Sequence, residues 1–323
     1  MPKQRVEPRA PARGIGAGGE QKIEPARGHA DIARETIIGL ASAVGVVLLF
    51  SSFVLVSRYG LRSELQPADL AFLRFLVSGL VLLPVLVRHG TGGLPLRQVA
   101  LLAALGGLAF ALLAYHGFAR APASHGSALI HGTLPAFSLL AGYFIVGHRP
   151  ERSRLLGGLA IGAGVLLMIW DSLLVASSRQ LLGDMLLLSA SACWAGYGVL
   201  VRRHGLSATT ATAIVTTSAM IGYVPAYLGV TSLRILNLPL SDVLFQAAFQ
   251  GLLIGALSGV LYTRVVETLG ANAAALSAAL VPALTTIMAI PLLGEEPSVS
   301  TLLGVVLLTC GIIGPWLVRQ RTS

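Results

Sequence analysis

The sequence is short of charged residues. Only 11% of its 323 residues are charged, against about 25% in a typical soluble domain. With 54% hydrophobic residues and a mean hydropathy of +0.78, the chain has too few polar atoms to cover a surface in contact with water. This composition excludes a soluble globular domain and predicts that lipid surrounds most of the chain.

Cysteine is also scarce, and the motifs of several function classes are missing. Cys193 and Cys310 lie in apolar runs without a second Cys or a nearby His, which argues against a disulfide framework and a metal site. The ATP-binding Walker motif is absent, so we expect no ATP hydrolysis. The metalloprotease motif His-Glu-x-x-His is absent, and residues 255–259 miss the spacing of an intramembrane serine protease. We therefore expect no cofactor and keep an intramembrane enzyme only as a distant alternative.

Long apolar runs are what the sequence has instead. Ten runs, each close to the roughly 20 residues that a helix needs to cross a bilayer core, are separated by short connections. Because backbone groups cannot stay unpaired in lipid, each run is predicted to be a helix. The runs lie near 36–57, 68–87, 98–118, 124–146, 154–174, 183–201, 209–230, 243–263, 272–293 and 299–318. Residues 1–35 are predicted to be a disordered basic tail and residues 319–323 a short C-terminal tail.

Basic residues fall unevenly on the two sides of these helices. The side of the N-terminus holds 17 Lys and Arg residues and the other side holds five. The five are Arg58, Arg62, Arg120, Arg179 and Arg234. Positive charge favours the cytoplasmic side, so both termini are expected in the cytoplasm. This orientation also accounts for the net charge of +9, and no nucleic-acid partner is expected.

One stretch of the sequence occurs twice. Aligning Pro135 with Pro282 sets an offset of 147 residues (282 − 135), at which many residues match without gaps. Matches of Gly and Pro are informative, because these residues occur where the backbone conformation requires them. They and their neighbours are Tyr115/Tyr262, Ala128/Ala275, Leu129/Leu276, Ala136/Ala283, Gly147/Gly294, Pro150/Pro297, Ser153/Ser300, Leu155/Leu302, Leu156/Leu303, Gly157/Gly304 and Gly164/Gly311. The pattern indicates an internal duplication, with repeats over 36–175 and 182–318.

The number of helices in each repeat fixes their relative orientation. Five is odd, so the second repeat enters the membrane from the opposite face. The predicted fold is therefore an all-α polytopic membrane protein, whose ten transmembrane helices form two inverted five-helix repeats. This architecture is typical of carriers that expose one central site to either side in turn.

Three features of the sequence resemble EamA-type domains of the drug/metabolite transporter superfamily. They are residues 67–75 with Arg74, residues 183–197 from Gly183-Asp184 to Tyr197, and a helix proline followed by Gly-Glu at Pro282 and Gly294-Glu295. The resemblance covers about 36–318 and implies ten helices, inverted halves and transport of small metabolites. It also implies a bacterial inner membrane, where the family is abundant. The first repeat departs from it, with Gly147-His148-Arg149 in place of Gly-Glu.

Two ionisable residues inside the spans are candidates for the substrate cavity. Arg74 lies in the second span, where a charge costs about 2.5–3.5 kcal/mol and is expected to face a cavity or an anion. The alternative is that its side chain reaches back to the interface. His131 lies midway along the fourth span and is a candidate for proton coupling. The alternative is a neutral His hydrogen-bonded between helices, and its repeat partner is Ala278.

Four aromatic residues are further cavity candidates. Tyr115 and Tyr262 match at the repeat offset, although aromatic belts at span ends are an alternative explanation. Trp194 and Tyr197 lie three residues apart on one face of the sixth span, where packing and cavity lining are both open. With Arg74, these side chains would suit an apolar or aromatic solute with a polar group.

Prolines, glycines and two polar residues complete the set of predictions. Pro135 and Pro282 are predicted to break a backbone hydrogen bond in mid-span, as helix breaks that free carbonyls toward a cavity or act as hinges, with packing kinks as the alternative. Asp184 is interpreted as an N-cap, and His125 as an interfacial residue. Glycines predicted to pack closely are Gly251, Gly255 and Gly259, and a candidate dimer contact is Gly158-x-x-x-Gly162.

Together these observations predict a secondary-active transporter and not an enzyme. The substrate is expected to be a small organic metabolite, amino-acid-like or amphipathic, moved by export through alternating access, with protons as a candidate coupling ion. The alternative is a nucleotide-sugar or phosphorylated-metabolite antiporter of the same superfamily. That alternative calls for several cations in the cavity, and Arg74 is the only Arg inside a span.

Overall fold

A computed structural model describes residues 29–147, 151–174, 178–230 and 234–320, and it contains ten long helical spans over these residues. Nine are long and apolar enough to cross a membrane, and the tenth has a shorter apolar part, Val299–Pro315. The spans are α1 (His29–Arg62), α2 (Pro67–His89), α3 (Leu96–Phe118), α4 (Ala123–Val146), α5 (Arg152–Leu174), α6 (Ser178–Arg203), α7 (Ala208–Val230), α8 (Leu240–Gly270), α9 (Ala273–Leu293) and α10 (Val299–Gln320). The described part contains no strand, and the protein is an all-α polytopic membrane protein as predicted.

Some boundaries differ from the sequence prediction. Helix α1 begins at His29, so residues 29–35 are helical and the predicted tail needs correcting there. Most residues of this extension are good helix formers, and the apolar run marked only the part of the helix expected in lipid. The predicted tail residues 1–28 and 321–323 lie outside the described residues, as do His148 and Arg149. Gly270, with a φ of 86°, separates α8 from α9.

The packing of the helices follows the inverted repeat. Exchange of the repeats maps α1–α5 onto α6–α10. Helix α1 packs on α8, where Gly45 meets Leu261, and on α9, where Ser51 approaches the Val281 carbonyl. Correspondingly, α6 packs on α3 and on α4. The pairs α2–α7 and α5–α10 map onto themselves and therefore lie on the pseudo-two-fold axis.

The crossing of α5 and α10 explains the glycines that match between the repeats. A Cβ atom on Gly157 would lie 2.5 Å from the carbonyl oxygen of Gly311, and one on Gly164 would lie 2.7 Å from that of Gly304. The reciprocal contacts are equally tight, because Gly157 and Gly164 are the repeat counterparts of Gly304 and Gly311. Only glycine permits the two backbones to approach this closely.

Three spans contain π-helical segments, in which the backbone makes a wider turn than in an α-helix. In α3 the segment is Ala104–Ala109, and in α8 it is Ala247–Leu257. The offset of 147 places residues 104–109 on 251–256, so these two segments correspond. The third, Ala128–Gly132 in α4, has no counterpart, since residues 275–279 are α-helical.

Candidate functional site

Arg74 lies inside the helical bundle and does not reach the membrane interface. Its residue is 7% exposed, and its guanidinium carbon lies 5.5 Å from the ring centre of Phe53 and 5.7 Å from that of Phe110. Its Nη1 atom is buried without a hydrogen-bond partner in the described part of the chain. Cation–π contacts of this kind contribute about 2 kcal/mol when desolvated, which does not replace an anionic partner.

Aromatic side chains from three helices surround this guanidinium. The Phe110 ring packs against Trp194, with centroids 4.7 Å apart, and Phe53 meets the edge of Tyr115 at 6.0 Å. Thus α1 and α3 contact Arg74 of α2 directly, and Trp194 of α6 packs behind Phe110. The structure thus brings together three of the predicted cavity residues, Arg74, Tyr115 and Trp194.

A buried chain of amides completes the site. Tyr115 is fully buried and donates a hydrogen bond of 3.0 Å to Gln250 Oε1. Gln250 Nε2 donates to Ser57 Oγ at 3.0 Å and to Gln246 Oε1 at 3.1 Å. We name Arg74, Phe53, Phe110, Tyr115 and Gln250 the central cluster. The sequence reasoning missed both glutamines, although two amides four residues apart within an apolar run were a signal for them.

His131 and Tyr262 form a second group beside the central cluster. The His131 ring stacks on Phe50 with centroids 5.2 Å apart, and Tyr262 lies 6.5 Å from Phe50 on a similar plane. His131 Nδ1 is buried without a hydrogen-bond partner in the described residues. Phe50 and Phe53 are three residues apart on α1, so the two groups share one face of that helix.

The predicted helix breaks at the two prolines differ. In α4 the π segment ends at Gly132, Thr133 forms a turn, and a new helix begins at Leu134 with Pro135 in its first turn. In α9 the helix continues through Pro282, since every residue of Ala273–Leu293 is helical. The expected break therefore needs correcting at Pro282.

A cavity of about 440 Å³ lies at the membrane face that carries the N-terminus. Pro135 and Ser138 of α4, Arg154 of α5 and Arg202 at the end of α6 line it. Tyr262 is 38% exposed, whereas its repeat partner Tyr115 is fully buried.

Ion pairs join the helices at the opposite face, which we call the far face. Glu295 accepts from Arg58 Nε at 2.7 Å and from Arg62 Nη2 at 2.6 Å, and its second oxygen accepts from the Ala123 backbone at 2.6 Å. We name Arg58, Arg62 and Glu295 the far-face clamp. Arg58 and Glu295 are mostly buried, at 13% and 12% side-chain exposure. The clamp ties α1 to the connection between α9 and α10.

Two residues thought to lie at the surface are instead buried next to the far face. Asp184 lies within α6, six residues after its start at Ser178, so it is not an N-cap. Its carboxylate pairs with His125 Nδ1 at 2.9 Å and accepts from Ser172 Oγ at 2.5 Å. His125 is 1% exposed and its Nε2 lies 3.1 Å from Thr301 Oγ1, so it is not interfacial. This network joins α4, α5, α6 and α10.

The remaining predicted residues serve packing contacts. Tyr197 fills the space beside Gly106, where a Cβ atom would lie 2.6 Å from its ring. Gly251 and Gly255 face Val77 and Ser78 of α2. Gly259 faces Thr212 of α7, so the three glycines do not share one face. The cause is the π segment that ends at Leu257, since its wider turn rotates the residues that follow.

Acidic, His and Cys side chains do not form a metal-binding group of three or more within the described residues. The two prominent polar arrangements are instead the central cluster, with its uncompensated Arg74, and the ion pairs of the far face. An arrangement of this kind can hold an acidic group in an otherwise apolar site between two inverted halves.

Comparison with known proteins relates both halves of the chain to one family. Residues 37–170 and 181–315 each match the model described as the EamA-like transporter family. A Bacillus subtilis (strain 168) protein described as "Uncharacterized transporter YyaM" is 26% identical over 260 residues, which cover 77% of this chain and 84% of that protein. A solved crystal structure is similar over 90% of this chain and 99% of its own, with a TM-score of 0.58. Its sequence identity is 19%, so this likeness establishes the fold alone.

Proposed function

This chain belongs to the EamA-like transporter family, and on that premise we propose that it is a secondary-active carrier for a small organic solute bearing an acidic group. The observation that carries the proposal is Arg74, whose buried guanidinium has no acidic partner in the described residues. A charge within a membrane helix costs about 2.5–3.5 kcal/mol by insertion scales. A solute carboxylate would offset that cost and give the solute its affinity.

The walls around Arg74 favour an amino-acid-like or amphipathic solute. Phe53, Phe110 and Trp194 present apolar surface for the remainder of such a molecule, while Gln250 Oε1 offers the second of its two acceptor sites. Pockets of this composition bind organic molecules by apolar contact and orient them with a few polar groups.

Alternating access is the proposed mechanism, in the direction of export. The solute would enter through the cavity at the N-terminal face, pass Tyr262 and His131, and reach Arg74 while the far-face clamp holds the other end together. Release then requires the clamp to open and α4 to move about its break at Pro135. Exchange of conformations between inverted repeats supplies such a motion.

Protons remain the candidate coupling ion, with His131 as the group that would carry them. Its ring is buried among apolar neighbours, and Phe50 stacks on it. In vesicles, His131→Gln should abolish the dependence of solute flux on an imposed pH gradient. An unchanged dependence in this variant would remove His131 from the coupling step.

The first experiment is a thermal-shift comparison of acids with their amides. We expect stabilisation of the purified protein by free amino acids or related amphipathic acids and not by the matching amides. A ligand at 100 times its Kd adds about 2.7 kcal/mol of stability. The effect should disappear in Arg74→Gln and weaken in Trp194→Ala, while the control Arg234→Gln should retain it. Stabilisation that persists in Arg74→Gln would overturn the proposed site.

The N-terminal face is proposed to be cytoplasmic, in a bacterial inner membrane, because it carries 17 of the assigned Lys and Arg residues against five. Reporter fusions at the two termini test this orientation: a reporter active only in the cytoplasm should be active at both ends.

A homodimer through α5 is also proposed. Cβ atoms on Gly158 and Gly162 would meet nothing within 4 Å, so this stripe is open to a neighbouring helix. Cysteine crosslinking at Gly162 in native membranes should give a dimer band. Its absence, together with crosslinking at a control position on α7, would refute the contact.

A further inference from the structure

Four of the five basic residues on the far face converge on one cavity. Its volume is about 410 Å³, and its lining includes Arg58, Arg62, Arg120 and Arg179. The fifth, Arg234, lies outside this lining and donates to the Glu64 carbonyl instead. Basic residues that merely anchored helices at the interface would have no reason to meet in this way.

The acidic residues near this cavity do not balance its charge. Glu295 is shared by Arg58 and Arg62 and also accepts from the Ala123 backbone, so both of its oxygens are engaged. Arg120 and Arg179 form no ion pair with a carboxylate among the described residues. Arg120 donates to the His116 carbonyl at 2.8 Å, and Arg179 donates to the Ala119 carbonyl at 3.1 Å.

The remaining guanidinium groups of Arg120 and Arg179 can therefore act together on a ligand. The four guanidinium groups line one cavity, and Arg58 is mostly buried, so their like charges repel one another. An anion between them would relieve this repulsion. Guanidinium groups bind carboxylate and phosphate with two parallel hydrogen bonds, which makes these the fitting ligand groups.

We infer that this cavity is an anion-binding site at the far face, which holds the carboxylate or phosphate group of the transported solute as it enters or leaves. The site is roomy enough for more than the acidic group, since ligand pockets commonly have volumes of about 300–1,000 Å³. It rests on the proposed function in one respect, which is that the solute is acidic.

The position of the cavity supports this role. Phe118 is among its lining residues, and the buried ring of Phe118 meets the edge of Phe53 with centroids 5.3 Å apart. Phe53 in turn lies under Arg74. One aromatic layer thus separates the far-face arginines from the central cluster, and an acidic group that crosses it passes from one set of guanidiniums to the other.

Thermal unfolding with citrate and inorganic phosphate as probes tests the site directly. Ionic strength is held constant with sodium chloride. Both probes should raise the unfolding temperature of the purified wild-type protein. The double variant Arg120→Gln/Arg179→Gln should need at least tenfold more probe for the same shift. The single variant Arg179→Gln provides the same test if the double variant does not fold, because this side chain is exposed.

Two control variants separate this site from the central cluster. Arg234→Gln, on the same face but outside the cavity, should respond to citrate and phosphate as the wild type does. Arg74→Gln should keep the response to inorganic phosphate, which has no apolar part for the central cluster to hold. Equal shifts in Arg179→Gln and the wild type, or the same shift with chloride alone, would overturn the site. If stabilisation by amphipathic acids is the same in Arg74→Gln and the wild type, the proposed function fails, and this anion site stands as long as Arg120→Gln/Arg179→Gln lowers the response to phosphate.

A lipid headgroup offers the same phosphate chemistry as a soluble anion. Nanodiscs of phosphatidylglycerol and of phosphatidylcholine distinguish the two sources. Equal stability of the wild type in both discs, with a retained response to citrate, supports a solute site. Stabilisation by phosphatidylglycerol that depends on Arg120 and Arg179, with no response to soluble anions, would overturn the role in solute passage.

Discussion

Tyr115 and Tyr262 occupy the same position in the two repeats but lie in different surroundings. Tyr115 is fully buried and hydrogen-bonded to Gln250 on the side of the far face, whereas Tyr262 is 38% exposed and lies 6.5 Å from the Phe50 ring. The duplicated backbone is symmetric at the α5–α10 crossing, but the polar groups are not. Glu295 has His148 as its counterpart and His131 has Ala278. The two repeats therefore have the same backbone arrangement, and the two ends of the protein differ through polar side chains that only one repeat contains.

The largest loss of stability is expected at Asp184, a buried polar residue that is present in one repeat only. Asp184→Ala should lower the free energy of unfolding by about 3–5 kcal/mol, because it leaves His125 and Ser172 without their buried partner. Thermal unfolding in detergent measures this loss. The matched control is Glu267→Ala, whose exposed pair with Arg264 is worth less than about 1 kcal/mol. Similar losses in both variants would show that the buried pair of Asp184 and His125 does not stabilise the fold more than an exposed pair does.

The next largest effect is expected from loss of the ion pairs that are found at the far face. Glu295→Gln removes the carboxylate of the far-face clamp and should destabilise the closed far face by about 1.5–3 kcal/mol, the worth of a hydrogen bond to a charged group. Ala289 is 2% exposed and lines a further cavity beside Glu295. In a Cys193→Ser/Cys310→Ser background, a cysteine introduced at position 289 should then react faster with a thiol reagent. Glu296→Gln is the control and should leave the rate unchanged. A rate that does not respond to Glu295→Gln would show that the clamp does not hold this end closed.

A smaller loss is expected where the repeats agree. Gly157→Ala should destabilise the protein by about 1–3 kcal/mol, because the added Cβ atom would press on the Gly311 carbonyl of α10. The adjacent Gly158→Ala meets nothing within 4 Å and should be neutral or stabilising. Thermal unfolding of the two variants decides the matter. If Gly158→Ala is the more harmful, the α5–α10 crossing has been placed wrongly.

The smallest change in stability is expected from removing the hydroxyl groups of the two matched tyrosines. Tyr115→Phe should lower stability by about 0.5–1.5 kcal/mol, since Gln250 loses a buried donor. Tyr262→Phe should change it by less than about 0.5 kcal/mol, because its side chain is partly exposed. Paired unfolding curves of these variants compare the same residue type at the same repeat position. Equal losses would contradict the asymmetry between the ends.

The fold was readable from sequence because its signals are local. Apolar runs fix the helices, and the glycine and proline matches identify the duplication. The pair Gly157/Gly304 was recognised as a match, but its cause became visible only when α5 and α10 were seen to cross. Such a contact depends on residues about 150 positions apart, which no local pattern encodes.

The candidate site was predicted only in part. Arg74, Tyr115 and Trp194 were expected to line a site and do meet, because a charge or a large aromatic ring in a span is conspicuous. Phe53 and Gln250 were missed, since one looks like any apolar residue and the other's partners lie on α1 and α3. Asp184 was misread because its helix begins earlier than the apolar run, which turned an apparent cap into a buried partner of His125.

The π-helical segments also record the history of the chain. A π turn is an α turn with one residue inserted, which shifts every following side chain by about 100° around the axis. The segments of α3 and α8 coincide at the repeat offset, so a single insertion in the ancestral half accounts for both. The segment that contains His131 in α4 has no twin, yet the offset of 147 is the same at Tyr115/Tyr262 before it and at Pro135/Pro282 after it, so no inserted residue separates the two copies there. The two copies of the fourth helix thus differ in winding at equal length, and substitutions after the duplication account for that difference.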